Sequence, residues 1–344
     1  MKFLATFLLT IVVLVVGYSL LAVTINPRGE FASNRFPNLI ADILPQKQHL
    51  FHRFQSRHPV RGVLLGSSRS MKMPPEPFER AYRGAFFNFA VPNVHAEEML
   101  FFYRWIREQG VHPRVVVIGI DVESLHFNNP TNLKKNELAS LRNPMTTSAA
   151  QSHSWLQRAA ETLEPLHSTF TVAYINDMAR SLQLKANPKW IADPIHTFEA
   201  NGYLHYPRFE AQRRTGTFNL TANISEMLPF YVDRFSEMSS LSPRREGYLE
   251  QLILDIQQDG GKVVLWITPL HPRMLATINR STPYPKRLRE LRDYLQKLHA
   301  KYGVTVYDYS DISRFGGTDT DWYDGAHVDE RNVDRIVHQI LEHP

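Results

Sequence analysis

The chain has 344 residues, of which 43% are hydrophobic, so it is long enough to bury a full core in one large domain or two small ones. Lysine and arginine (39) only slightly outnumber aspartate and glutamate (34), and the basic residues are dispersed, which argues against a nucleic-acid partner. The absence of cysteine excludes thiol nucleophiles, disulfides and zinc-thiolate sites. Any nucleophile must therefore be an oxygen or a nitrogen atom.

The first segment is apolar, with Lys2 followed by no charged side chain until Arg28. This run exceeds the roughly 20 residues that span a bilayer as a helix, and Ala22 to Thr24 form a poor cleavage signal. We therefore predict an uncleaved transmembrane anchor at 1–27 and a linker at 28–58, with a cleaved signal peptide as the alternative. The positive-inside rule, applied to Lys2, places the rest of the chain outside the cytoplasm, in the periplasm or at the cell surface. A cysteine-free chain in that location points to a bacterial envelope.

Five short runs of β-forming residues follow, at Gly62 to Leu65, Ala85 to Asn88, Arg114 to Ile120, Lys262 to Thr268 and Val304 to Tyr307. Most runs are continuous rather than alternating, which is typical of strands that are covered on both faces in a parallel sheet. Apolar residues at helical spacing fill the gaps between them. The alternation predicts an α/β fold, an open parallel sheet of five strands with helices on both faces. The ligand crevice of such a fold lies at the carboxyl ends of the strands.

The alternation fails between about 127 and 246. This stretch is rich in Asn, Thr, Ser and Pro, and it contains helical pieces such as SWLQRAAETLEPL but no convincing strand. We therefore predict a helical cap that is inserted into one domain covering 59–344. A cap beside the crevice would shape the substrate site and select the acceptor.

The first predicted strand ends in Gly66-Ser67-Ser68, which places serine hydroxyls at the carboxyl edge of the sheet. A serine hydroxyl is a poor nucleophile until a neighbouring base takes its proton. Asp324 lies three residues before His327 in a predicted turn, so its carboxylate can hold one ring nitrogen while the other faces the serine. The pattern predicts Ser68 as nucleophile, His327 as base and Asp324 as the residue that orients the base. The alternative is structural, with turn serines and a histidine and aspartate that close a turn before the last helix.

Three further residues at strand ends are candidates for substrate binding. Arg69 follows the nucleophile and suits an anionic sugar or phosphate, unless it is a surface charge. Asp121 ends the third strand, where it would organise hydrogen bonds in the crevice. His271 follows the fourth strand and is either a substrate contact or a solvated loop residue. No pair among the 15 histidines has metal-binding spacing, so neither a metal nor another cofactor is predicted.

In their order along the chain, these motifs resemble the blocks of the SGNH or GDSL-type hydrolases. GSS at 66–68 is similar to the family's Gly-Asp-Ser block, and DGAH at 324–327 is similar to its Asp-x-x-His block. NFAVPN resembles the second block, Asn-x-Gly-x-x-Gly, with Ala90 and Asn93 where glycines are usual. IGIDVES resembles the third block, Gly-x-Asn-Asp, but lacks its asparagine.

The resemblance covers the predicted sheet elements and not the cap. It implies an SGNH fold, which is flavodoxin-like, with three layers and a five-stranded parallel sheet in the order 2-1-3-4-5. It also implies an oxyanion hole that is formed by the backbone N–H groups of Ser68 and Ala90. The third donor of the family is the missing asparagine, for which Asn128 or Asn129 is the candidate substitute.

Within this superfamily, the membrane anchor, the Gly-Ser-Ser block and the degenerate third block resemble the envelope acyl-transfer branch. That branch includes the alginate O-acetylation proteins and the teichoic-acid D-alanyl transfer protein. The resemblance implies an extracytoplasmic serine esterase or O-acyltransferase that acts on ester-linked acyl groups, in the first place acetyl, of an envelope or exported polysaccharide. Expected partners are this polysaccharide or an acyl donor, the membrane, and a membrane acyltransferase. The alternative is a catalytically silent carbohydrate-binding or assembly protein of the envelope, which the missing asparagine favours.

Overall fold

The computed structural model describes residues 2–28, 31, 35–36, 43–126, 131, 133, 138, 141, 169–186 and 197–342. Its α-helices are α1 (Lys2–Ile25), α2 (Ile43–Gln55), α3 (Pro75–Tyr82), α4 (Ala96–Glu108), α5 (Val172–Ala186), α6 (Pro207–Thr215), α7 (Leu220–Ser236), α8 (Pro243–Gln258), α9 (Pro272–Ser281), α10 (Tyr284–Tyr302) and α11 (Glu330–Glu342). Its strands are β1 (Val60–Leu65), β2 (Ala85–Asn88), β3 (Val115–Ile120), β4 (Thr197–Phe198), β5 (Leu204–His205), β6 (Lys262–Ile267) and β7 (Thr305–Asp308). Short 3-10 helices, Val122–Leu125 and Ile312–Phe315, follow β3 and β7.

Five strands form one parallel sheet in the order β2-β1-β3-β6-β7. Alternate residues such as Leu64, Val117 and Val264 belong to a buried cluster that includes residues of α3 and α11. The intervening residues, among them Val116 and Leu265, are buried as well. Burial on both faces explains why the strands appear in the sequence as continuous apolar runs. The prediction of an α/β fold with a five-stranded parallel sheet is confirmed.

The numbering of the strands differs from the predicted order 2-1-3-4-5, because the insertion contributes two further strands. These strands, β4 and β5, pair in a separate two-stranded sheet, so the prediction that the insertion contains no strand was wrong. Each has only two residues, too few for a strand pattern to be recognised. The last two members of the main sheet are consequently the sixth and seventh strands along the chain, rather than the fourth and fifth.

The segment 28–58, predicted as an irregular linker, contains helix α2. Phe51 and Phe54 on this helix are buried and contact the ring of Phe87 on β2, with ring centroids 5.2 and 5.6 Å apart. Aromatic residues three positions apart are a helical signal that the prediction overlooked. The end of α2 is thus part of the packed core around the sheet.

The chain divides into two compact units. Residues 1–49, 146–197 and 206–208 form the first, and residues 50–145, 198–205 and 209–344 form the second, which contains the main sheet. Part of the segment that was predicted as a cap therefore belongs to the same unit as the N-terminal helix. The remainder of that segment, including α7, belongs to the sheet unit.

Helix α1 has 24 residues and contains an 18-residue stretch with a mean hydropathy of 2.6, so it is long and apolar enough to cross a membrane. Apolar side chains project from it into open surroundings, for example Phe3 with 84% exposure and Leu14 with 67% exposure. A helix that is apolar all round favours a lipid environment over water. A signal sequence near an N-terminus meets the same criteria of length and composition.

Candidate active site

Ser68, His327 and Asp324 form one continuous chain of hydrogen bonds. The Oγ atom of Ser68 lies 2.9 Å from Nε2 of His327. The other ring nitrogen, Nδ1, lies 2.8 Å from Oδ2 and 3.0 Å from Oδ1 of Asp324. Because a carboxylate only accepts hydrogen bonds, Nδ1 carries the proton and Nε2 is left to accept the hydroxyl proton of Ser68. The structure thus brings the three predicted residues together in the geometry of a nucleophile, a base and an orienting carboxylate.

Asp324 is buried in the loop before α11, and the loop backbone holds its carboxylate in place. Its Oδ1 atom accepts hydrogen bonds from the backbone N–H groups of Ala326 (2.8 Å) and His327 (2.9 Å). Burial acts to raise the pKa of Asp324, but His327 and the two backbone N–H groups lower it by more, so the pKa lies below its usual value. The carboxylate is therefore ionised at neutral pH and can stabilise a protonated His327.

The loop that carries Ser68 begins at Gly66, whose φ of 137° lies in the region that favours glycine. The N–H of Ser70 donates to the carbonyl oxygen of Ser67 (2.9 Å), and the N–H of Met71 donates to that of Ser68 (3.3 Å). These turns end β1 abruptly. They leave the Ser68 residue partly exposed while its neighbour Ser67 is buried.

Asn88, the last residue of β2, is fully buried and braces the nucleophile loop. Its Nδ2 group donates to the carbonyl oxygens of Ser70 (2.9 Å), Met71 (3.2 Å) and Met73 (2.9 Å). The two hydrogens of this group are shared among three carbonyl oxygens, of which those of Ser70 and Met71 also accept the N–H groups of Met73 and Leu204. The contact fixes the loop after β1 to the end of β2.

The predicted oxyanion donors have different surroundings. The backbone N–H of Ser68 has no hydrogen-bond partner among the described residues, so it is free to bind a developing negative charge. The N–H of Ala90 instead donates to Oδ1 of Asn88 (3.0 Å). This contact differs from the expectation, because a side chain two residues earlier already satisfies the donor. Asn128 and Asn129 lie outside the described residues.

Arg69 and Asp121, predicted to bind substrate, contact each other in a buried ionic network next to the nucleophile. The Arg69 guanidinium lies 2.7 Å from Oε1 of Glu123 and 3.5 Å from Oδ1 of Asp121, and its side chain is only 3% exposed. The hydroxyl of Thr268 donates to Asp121 (2.7 Å), and the ring of Tyr231 lies 5.5 Å from the guanidinium. Burial acts to lower the pKa of Arg69, but the two carboxylates raise it well above its usual value. The charges are paired with one another, which corrects the expectation that they face a ligand.

We expect Arg69→Met to lower the free energy of unfolding by about 3–5 kcal/mol, because it leaves two buried carboxylates without their shared cation. The matched control is Arg314→Met, since Arg314 is 47% exposed and contacts Asp308 at 3.0 Å. Loss of that surface pair should cost at most about 1 kcal/mol. Urea unfolding of the full chain in detergent, followed by tryptophan fluorescence, measures both. Equal stability of the two variants would show that the buried network stabilises no more than a surface pair.

His271 is buried and is hydrogen-bonded through both ring nitrogens. Nδ1 accepts from the N–H of Arg273 (3.1 Å), and Nε2 donates to the carbonyl oxygen of Asp319 (2.8 Å). Burial lowers the pKa of His271 and so favours the neutral ring. Its backbone N–H donates to the carbonyl oxygen of Gly325 (2.9 Å), in the loop that carries the candidate base. His271 therefore supports this loop, in contrast to the expectation of a substrate contact or a solvated residue.

Sequence reasoning missed four residues that surround the buried network. Thr268 directly follows β6, and Glu123 lies three residues after the end of β3, so the rule that ligand-side residues follow strands could have found them. Tyr231 and Arg234 lie on α7, inside the insertion. Arg234 donates to Oδ1 of Asn93 (2.6 Å) and lies 3.9 Å from Glu123. Nothing in the sequence of α7 indicates which of its faces packs against the buried network of Arg69.

A second cluster of ionisable residues lies elsewhere in the sheet unit. His95, Glu97 and Glu98 are close enough together to hold a cation. Arg245 already contacts both carboxylate oxygens of Glu97, at 3.1 and 3.2 Å, and Nδ1 of His95 lies 3.1 Å from Glu98. The guanidinium supplies the positive charge that a metal would bring, so the cluster is explained as a buried ion-pair network.

Comparisons of the sequence with protein-family models and with curated proteins found no match. A serine hydroxyl that is hydrogen-bonded to a histidine, itself oriented by a buried carboxylate, is an arrangement suited to covalent acyl transfer.

Proposed function

We propose that this protein is a membrane-anchored, extracytoplasmic serine esterase or O-acyltransferase of the SGNH type. It acts on ester-linked acyl groups, in the first place acetyl, of an envelope or exported polysaccharide. The observation that carries the proposal is the chain of hydrogen bonds from Ser68 through His327 to Asp324. Further support comes from the parallel sheet, because α/β proteins bind ligands at the carboxyl ends of their strands. The apolar helix α1 supports the membrane anchor.

In the first half-reaction, Oγ of Ser68 attacks the carbonyl carbon of the ester while Nε2 of His327 accepts the hydroxyl proton. The backbone N–H of Ser68 stabilises the resulting oxyanion. Collapse of the tetrahedral intermediate breaks the bond to the leaving alkoxide, which takes the proton from His327 and departs as an alcohol. The ionised Asp324 stabilises the imidazolium between these steps.

In the second half-reaction, an acceptor hydroxyl gives its proton to His327 and attacks the acyl carbon. Ser68 then leaves as the alkoxide and regains that proton. Water as acceptor gives hydrolysis and a sugar hydroxyl gives transfer, because both reactions share the acyl-serine. Loss of one oxyanion donor costs about 10²–10³ in kcat, so a site with few free donors reacts slowly with water. A sugar hydroxyl passes through the same oxyanion and is slowed equally, so transfer exceeds hydrolysis where the polysaccharide is bound beside the long-lived acyl-serine.

A catalytically silent carbohydrate-binding or assembly protein is the second candidate. The observation that favours it is the hydrogen bond from the Ala90 N–H to Asn88, which removes one donor that an efficient esterase would use. The two candidates differ in whether Ser68 becomes acylated.

Acylation of the protein tests the proposal. The full chain in detergent is mixed with p-nitrophenyl acetate, the intact mass is followed over time, and digestion locates the modified residue. We expect one acetyl group on the peptide that contains Ser68, and a faster loss of this group when an oligosaccharide with free hydroxyls is added than in buffer alone. A serine-directed organophosphonate should block the modification. If neither an adduct nor released acetate is found, while the protein still binds glycans, the silent candidate replaces the enzyme.

A further inference from the structure

Helix α5 carries an apolar stripe that is exposed along its whole length. The stripe residues recur at intervals of three and four, which places them on one face of the helix: Val172, Ile175, Ala179, Leu182 and Ala186. The exposed fractions are 76% for Val172, 49% for Ile175 and 42% for Leu182. A continuous apolar stripe of this kind requires a partner surface if it is not to face water.

A neighbouring face of α5 packs against the end of α1. Tyr174 and Met178 are buried in a cluster with Ala22 and Ile25. Just beyond α1, the guanidinium of Arg28 lies 2.8 Å from the carboxylate of Asp177 and 5.0 Å from the ring of Tyr174. Apolar packing and an ion pair together attach α5 to the apolar N-terminal helix.

The start of α5 lies beside the apolar part of α1 rather than beyond its end. The hydroxyl of Tyr18 donates to the carbonyl oxygen of Thr169, and its ring contacts Phe170 with centroids 4.8 Å apart. Tyr18 precedes Ile25 by seven residues, which at 1.5 Å per residue is about 10 Å along the helix axis. Phe170, itself 51% exposed, therefore lies about 10 Å inside the apolar span, at the depth where interfacial helices bury their apolar face.

We propose that α5 is an interfacial membrane helix, whose apolar stripe is covered by the acyl chains of the lipid leaflet that surrounds the end of α1. The inference rests on the proposed membrane span. Exposed apolar side chains flank the contact on α1 (Leu20 and Leu21) and at the start of α5 (Phe170), so the lipid that covers the one also reaches the other. Arg180 is exposed on another face of α5, where its charge can reach lipid headgroups. The ammonium group of Lys185 instead donates to the carbonyl oxygen of Arg35 (2.7 Å) and lies over the ring of Phe36.

The packing of α5 on α1 also bears on whether α1 is cleaved as a signal peptide or kept as an anchor. Cleavage after Thr24 would remove Tyr18 and Ala22, and with them part of the apolar cluster around Tyr174, to which Ile25 also contributes. A second membrane element that packs on α1 therefore favours a retained anchor over a cleaved signal peptide. With α1 retained, both α1 and α5 hold the first unit of the chain at the lipid leaflet.

The absence of native cysteine allows single labels to report on each face. We would introduce Ile175→Cys and Leu182→Cys on the stripe, with Arg180→Cys as the matched control on another face of the same helix. Leu14→Cys reports on the span itself. Each full-length variant carries a bimane label and is reconstituted into phosphatidylcholine and phosphatidylglycerol vesicles, with or without brominated acyl chains. We expect brominated lipid to quench the labels at 14, 175 and 182 at least about twofold more than the label at 180.

The labels separate the possible failures. If the label at 14 is quenched but those at 175 and 182 are not, α1 spans the membrane and the inference about α5 is overturned. If the label at 14 escapes quenching, the membrane span itself fails, and the inference fails with it. Labels at 175 and 182 that are protected from both lipid and aqueous quenchers would show that protein covers the stripe, which also overturns the inference.

Discussion

Ser68→Ala is expected to reduce acetyl transfer to the protein from p-nitrophenyl acetate by at least about 10³-fold, because it removes the hydroxyl that attacks the ester in the proposed mechanism. The hydroxyl that is lost is the one 2.9 Å from Nε2 of His327. Pre-steady-state release of p-nitrophenol and the intact mass report the same step independently. The variant should keep the stability of the parent protein, since the replaced side chain is partly exposed and small.

Ser67→Ala is the matched control, because the two serines are adjacent but differ in environment. Ser67 is buried, and its Oγ accepts the N–H of Arg69 at 3.2 Å. Its loss removes a hydrogen bond worth about 1 kcal/mol but leaves the nucleophile in place, so acetylation should continue. If Ser67→Ala loses acetylation while Ser68→Ala keeps it, the nucleophile is Ser67 and the proposed assignment to Ser68 is wrong.

The sequence predicts those parts of the site that depend on position along the chain. A residue that follows a strand of a parallel sheet lies at the ligand edge, whatever the details of packing. This rule places Ser68 and Asp121 at one edge, and the local spacing of Asp324 and His327 is sufficient to form their hydrogen bond. Both relations are set by backbone geometry over a few residues.

The direction of a side chain at that edge depends on distant partners, which the sequence does not reveal. Arg69 is adjacent to the nucleophile, yet its guanidinium is buried against Glu123, 54 residues away, and under the ring of Tyr231 on α7. The Ala90 N–H is likewise engaged by a side chain rather than left open. Long-range contacts of this kind decide which polar groups remain available to a ligand.

The same distinction applies to the fold. Strands of four to six residues with continuous apolar runs are recognisable, whereas β4 and β5 have two residues each and form only because the intervening turn brings them together. In that turn, the N–H of Glu199 donates to the carbonyl oxygen of Tyr203 at 2.9 Å. The grouping of residues 146–197 with the N-terminal helix also depends on tertiary contacts, which neither composition nor periodicity reveals.

Asp324→Asn is expected to lower the rate of acetylation by about 10³–10⁴-fold while Ser68 and His327 remain in place. The asparagine side chain can still accept the backbone N–H groups of Ala326 and His327 through its Oδ1, so the loop should keep its conformation. Its amide, however, is a donor where the carboxylate oxygen Oδ2 lies 2.8 Å from Nδ1 of His327. To accept that hydrogen bond, Nδ1 must lose its proton to Nε2, which can then no longer take the proton of Ser68.

Asp321→Asn is the control in the same loop, because Asp321 is also buried but pairs with Arg335 at 2.8 Å rather than with His327. It should lower stability and leave the acetylation rate of the folded protein close to that of the parent. Nitrogen-15 NMR of labelled histidine then identifies the cause in Asp324→Asn, since the tautomer of His327 should change from Nδ1–H to Nε2–H. If acetylation falls without a change of tautomer, Asp324 acts by holding the loop, and its role is structural rather than orienting.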